Sequence, residues 1–73
     1  MTHENMAAWR HSLGLSTGGM AAYLGVPGST YNKWEKGERK PNDAALRLFE
    51  VLRLVQIMAP QVHDQLVAKA QAK

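Results

Sequence analysis

Between Gly28 and Lys40 the chain gathers side chains that can bond to base edges and phosphates. Ser29, Thr30, Asn32, Lys33 and Lys36 share the outer face of one short helical segment, GSTYNKWEK. An Asn amide matches the donor and acceptor pair of adenine, and a Lys ammonium donates to guanine O6 and N7. Ser29, Asn32 and Lys33 are therefore base-contact candidates, while Thr30 offers a methyl to thymine or a hydroxyl to a phosphate. Lys36, Arg39 and Lys40 suit phosphate oxygens, which position a protein on a duplex without reading its sequence. Asn42 fits two roles, a phosphate contact or a helix cap. The net charge of +3 is a weak signal. The run of Lys33, Lys36, Arg39 and Lys40 within eight residues is a stronger one.

Other chemistry finds little support. With no cysteine there is neither a disulfide frame nor a thiolate metal site. His3, His11 and His63 lack metal-ligand spacing, and His63 and Asp64, adjacent on a helix, point apart. Ser12, Ser16 and Ser29 have no base partner in a recognisable motif. No catalytic residue, metal or cofactor is expected. The start MTHENMAAWRHS lacks the charged and apolar regions of a signal peptide, and no run is apolar enough to span a bilayer. A cytoplasmic protein is expected, with no membrane partner.

The polar face needs a scaffold, and Leu15 to Pro41 supplies one. Ser16 can cap a helix over Thr17–Leu24. Met20, Ala21 and Leu24 give that helix a narrow apolar face. Gly25 stands where the chain must take positive φ to leave the helix. Pro27 suits the start of a second helix, Gly28–Lys36, where an N–H is not needed. Tyr31 and Trp34, three apart, point inward as anchors. Stacking on bases is their less favoured use. Gly37 ends this helix. Two short helices crossing at a small residue, Ala21, with a glycine turn between them, form a helix-turn-helix. The alternative is a plain helical bundle with an incidental turn.

Around this unit the sequence predicts three more helices and no strand. The first runs from about His3 to Leu13, with Thr2 as cap, Met6, Trp9 and Leu13 on one face, and Gly14 ending it. The fourth starts after Pro41, capped by Asn42 or Asp43, and packs Ala45, Leu48, Phe49 and Leu52 inward. Arg47 and Glu50 take the opposite face. Past Leu52 the outer side turns apolar with Leu54 and Ile57, while Val55 and Ala59 continue the inner stripe. Pro60 bends or restarts the chain. A fifth helix, about Gln61 to Ala70, lines up Val62, Leu66 and Ala70 with Val67 beside them, and the final AKAQAK is expected to fray. At 73 residues this is one domain, 1–73.

In Trp9-Arg10, Gly14-Leu15-Ser16, Ala21, Leu24-Gly25-Val26, Ser29-Thr30, Trp34-Glu35, Gly37 and Pro41, the chain resembles the lambda-repressor-like, Cro-type (XRE) helix-turn-helix family. The resemblance covers roughly Met6 to Leu52, and WEKGERKP is close to the family's Trp-Glu-x-Gly-x-x-x-Pro. It implies an all-α, compact five-helix fold that binds double-stranded DNA, usually as a dimer on an inverted repeat, in transcriptional regulation. The family pairs the arginine of helix 1 with the glutamate after the recognition helix, which are Arg10 and Glu35 here. A guanidinium fork gripping a carboxylate gives that pair a structural sense of its own.

The departures fall on the DNA side. Thr17 stands where the family commonly has Gln, shorter but still a hydroxyl donor to phosphate. Gly18 and Gly19 replace long polar residues, each costing about 1 kcal/mol of helix propensity against Ala. Either a frayed first turn tolerates them, or bare backbone at Gly18 lets a phosphate approach the helix N-terminus. Pro27 and Gly28 replace a Ser and a large polar residue, so one common base contact is missing.

Reading an inverted repeat requires a twofold dimer with recognition helices about 34 Å apart. Residues 54–70 are the expected dimerisation segment, through Leu54, Val55, Ile57, Met58, Val62 and Leu66, with Val67. The alternative is that the last helix folds back and buries all of them in one chain. A repressor acting by occlusion is the simplest function. The second is an antitoxin-type interaction module, in which the same apolar surface meets a protein partner.

Overall fold

The computed structural model describes residues 2–71, which form five helices and, among the described residues, no strand. Helix α1 spans His3–Ser12, α2 Thr17–Leu24, α3 Gly28–Lys36, α4 Asp43–Met58 and α5 Pro60–Gln71.

The ends follow local chemistry. The Thr2, Ser16 and Asn42 side chains accept the backbone N–H three residues on, at 3.3, 3.0 and 2.8 Å. Each satisfies one of the free donors of a first turn. Gly25 and Gly37 close α2 and α3 at φ 74° and 76°. The Val26 N–H then returns to the Ala21 carbonyl, and the Glu38 N–H to that of Lys33, the bond of a Schellman ending. Helix α1 stops at Ser12, one residue before the expected end, because Leu13 caps it.

The core is built from Met6 and Trp9 of α1, Leu15, Met20, Ala21 and Leu24 at α2, Tyr31 and Trp34 of α3, Phe49 and Leu52 of α4, and Ala70 of α5. Phe49 lies between two indoles, 5.7 Å from each of Trp9 and Trp34, in edge-to-face contact. The Arg53 guanidinium covers the Trp9 ring at 5.6 Å. Helix α2 packs on both α3 and α5, α1 on α3, and α4 on α5.

The last helix departs most from the sequence reading. It begins at Pro60 rather than Gln61, since proline suits a first helical position and Ala59, at φ −140° and ψ 66°, breaks the run before it. It continues through Gln71, with Ala70 buried in the core, where fraying was expected from Ala68 on. Ala72 and Lys73 lie outside the described residues. Its inward face includes His63, buried at 3% exposure, which the sequence reading did not place there, while Val62, one of the expected dimerisation residues, is half exposed.

Candidate nucleic-acid interface

Two buried aromatic side chains orient α3. Tyr31 is fully enclosed and Trp34 nearly so, which removes both from any stacking role. With 31 and 34 held inward, the helical period turns 29, 32, 33 and 36 outward. Ser29, Asn32, Lys33 and Lys36 are exposed, and Thr30 is half-buried at the edge of that face.

The surroundings favour an anion. Neither α2 nor α3 has an acidic residue in its first turn, so the positive ends of both helix dipoles stay uncompensated. Pro27 gives α3 no side-chain cap, which leaves first-turn N–H groups for solvent or ligand. Thr17 and Gly18 are exposed at the start of α2, and a Cβ added at Gly18 would meet nothing within 4 Å. Gly19 is tighter, with Ser16 Oγ 3.3 Å from the position of a Cβ. Arg39 and Lys40 follow α3 on the exposed loop. Among the described residues no carboxylate pairs with Lys33, Lys36, Arg39 or Lys40. Asn42 is exposed at the loop's far end, and its Oδ1 is already engaged as the cap of α4.

The acid at the end of α3, Glu35, is neutralised, while Glu38 stays exposed in the loop among the cations. Arg10 Nε and Nη2 donate to the two carboxylate oxygens of Glu35 at 3.0 and 2.9 Å, and Nη1 donates to the Leu15 carbonyl at 3.1 Å. The pair is mostly enclosed, with side chains 14% and 18% exposed. Hydrogen bonds from Arg10 hold the Glu35 carboxyl below the ordinary carboxylate range, and the bonded carboxylate raises the Arg10 guanidinium in turn. One guanidinium thus ties α1, the turn after it and the end of α3 together. It also cancels a charge that would repel phosphate.

The apolar residues past Leu52 divide. Leu54, Ile57, Met58 and Val62 are 53%, 73%, 79% and 51% exposed. Val55 is half-buried, and Leu66 and Val67 are half-buried against the chain's own core. The last helix therefore folds back without covering the outer side of α4. Val51 and Leu46, which the sequence reading did not single out, add to that exposed side at 46% and 39%.

Sequence reasoning also missed His63. Its Nε2 lies 2.6 Å from the Tyr23 hydroxyl, and its ring meets Tyr23 edge to face at 5.5 Å. The available signal was its register with Val67 and Ala70, four and seven residues on, which a count of apolar residues alone passes over. No group of His, Cys, Asp or Glu among the described residues could hold a metal, and no described helix is long and apolar enough to cross a membrane.

Comparison with known proteins agrees with this geometry. A family model described as helix-turn-helix matches residues 6–52, from the first buried residue of α1 to the last of α4. Searches of curated proteins and of solved structures found no match. The matched span holds the capped helix, the glycine turn and the anchored second helix in one unit, and the chain belongs to the XRE, lambda-repressor-like helix-turn-helix family of DNA-binding transcription regulators.

Proposed function

We propose that this chain is a dimeric repressor that reads an inverted-repeat operator by laying α3 in the major groove. The observation that carries the reading is the exposed face of Ser29, Asn32 and Lys33, flanked by unpaired cations and fixed from behind by Tyr31 and Trp34. In this docking Ser29, Asn32 and Lys33 meet base edges, and Thr30 meets a thymine methyl or a phosphate. Lys36, Arg39 and Lys40 neutralise phosphates, joined by Thr17 and the backbone at Gly18. Asn42 serves first as a cap, and its amide N–H₂ remains free for a phosphate. The protein would act in the cytoplasm, bound to the nucleoid, and repress by occluding a promoter.

The whole of 1–73 acts as one domain in this reading, with 54–70 as the dimerisation segment. Leu54, Ile57, Met58 and Val62 form its centre, because isologous pairing would remove their exposed apolar surface from water. Val55 and Leu66 contribute edges only, being partly used within the chain. The same exposure also fits a second reading, an antitoxin-type module whose α4–α5 face binds a different protein while α3 binds its operator. Selection from a random duplex library, followed by sequencing, tests the first reading. An enriched palindrome with half-sites about one helical turn apart supports it. A single enriched half-site removes the dimer. Bulk, salt-sensitive binding without enrichment shifts the weight to the protein partner.

A further inference from the structure

A cleft of about 350 Å³ opens on the flank of the α3–α4 loop, between the start of α1 and the start of α4. Its volume falls in the range of small-molecule sites. The floor is apolar: Met6 and Trp34 are core residues whose edges reach it, and Pro41 and Leu46 form the walls. The rim is cationic. Arg39 and Lys40 stand on it without a carboxylate partner, and no acidic residue lines it. His3 closes the far side, packed on Gly37 so tightly that a Cβ there would lie 3.0 Å from its ring. An apolar pocket with a few convergent polar groups selects ligands that carry both characters.

We propose that this cleft binds small amphipathic anions, aryl or short-chain alkyl carboxylates, whose charge competes with the DNA backbone for Arg39 and Lys40. The hydrocarbon part lies between Pro41 and Leu46 over the edges of Trp34 and Met6, and the carboxylate meets the two cations at the rim. The competition rests on the reading of Arg39 and Lys40 as phosphate contacts. The binding itself does not. If both hold, the ligand and the operator exclude one another by the same factor in each direction, because coupling between two sites is reciprocal.

The probe is 2-naphthoate, with 2-naphthylmethanol as its uncharged counterpart. Each is titrated into the ¹⁵N-labelled full chain at constant ionic strength. The expected result is saturable shifts at the amides of His3, Gly37, Arg39 and Lys40 and at the Trp34 indole, with the carboxylate binding roughly threefold or more tighter than the alcohol. The exposed changes Arg39→Gln with Lys40→Gln should erase that difference. Leu46→Glu, which removes an apolar wall and brings a like charge to it, should weaken both probes, naphthoate the more. Shifts confined to Leu54, Ile57 and Met58, equal affinity for the two probes, or no saturation would each overturn the site. A labelled operator duplex is then competed with naphthoate against salt of equal ionic strength. Displacement beyond that control supports the competition. Saturable naphthoate binding without displacement overturns it, and places the error in the DNA role of Arg39 and Lys40 rather than in the cleft.

Discussion

Tyr23 on α2 and His63 on α5 share a 2.6 Å hydrogen bond across forty residues of chain. Burial pushes the Tyr23 hydroxyl up to about 12, so it remains a neutral phenol beside the imidazole Nε2. The bond fastens the last helix to the first helix of the helix-turn-helix. Tyr23→Phe keeps the ring and removes the hydroxyl, leaving Nε2 buried without it. The expected loss is about 1–3 kcal/mol in urea denaturation. An unchanged midpoint would mean that water takes the place of the hydroxyl.

The same tyrosine sets an alkaline limit. Its folded-state value, about 12, lies above the ordinary 10.0, and burial pushes Tyr31 up as well. A folded state that holds the phenolic proton more tightly is favoured fully below pH 10, and loses that advantage as pH rises from there toward 12. Tyrosinate absorbance at Tyr23 and Tyr31 should therefore appear together with unfolding in that window. A tyrosinate signal that precedes the loss of helical circular dichroism would contradict this.

Acid acts on the other pair. Glu35 is held below the ordinary carboxylate range by Arg10, so its contribution is present above the ordinary value of 4.5 and fades as pH falls through the lowered one. Glu35→Gln should cost about 1–3 kcal/mol near neutrality and flatten the acid limb of the stability profile. Equal acid sensitivity in wild type and variant would remove Glu35 as its source.

Two cations should fail in different ways. Lys33→Ala is expected to relax preference at one base pair, costing about 1–3 kcal/mol there. Arg39→Ala should weaken all sequences alike and lower the salt slope by about one unit. Binding isotherms on the selected operator and its point variants, at several salt concentrations, separate the two. If Lys33→Ala copied Arg39→Ala, the docking of α3 would be wrong.

Gly18 offers a test in which stability and binding move apart. The site has open space for a methyl and an ordinary helical backbone, so Gly18→Ala should stabilise the fold by about 0.5–1 kcal/mol. If a phosphate approaches the bare backbone there, operator affinity falls in the same variant. Affinity unchanged or improved would leave Gly18 as a tolerated glycine in a first turn.

Ile57 and Met58 are the most exposed large apolar residues of the chain's described part. Ile57→Glu and Met58→Glu should keep the helical circular dichroism and convert a dimer to a monomer in analytical ultracentrifugation, with loss of any concentration dependence of the thermal midpoint. A wild-type chain that stays monomeric at high micromolar concentration, with and without DNA, would refute the dimer.

The helix-turn-helix was legible because its signals are local. Ser16, Gly25, Pro27 and Gly37 each act on the backbone within a turn of themselves, and the bounds of α2 and α3 match the sequence reading. Phe49 and Leu52 were equally plain from helical period. Tyr23 and His63 were not, because their partnership is made by α5 docking on α2, a tertiary event with no local trace. The burial of His63 has the same origin. Val62 and His63 sit one position apart, and only packing decides which of the two turns inward. The cleft beside Trp34 also escaped, since its walls come from α1, the loop and α4.

Ala59 is the single residue between α4 and α5, and His63 pins the second of these helices to α2. Leu54, Ile57, Met58 and Val62 are thus displayed on a preformed wedge rather than on a loose tail. A surface already held in its bound shape gives up little conformational entropy on association. A second copy or another protein that covered it would meet a preformed surface, and ordering on this side would subtract little from affinity.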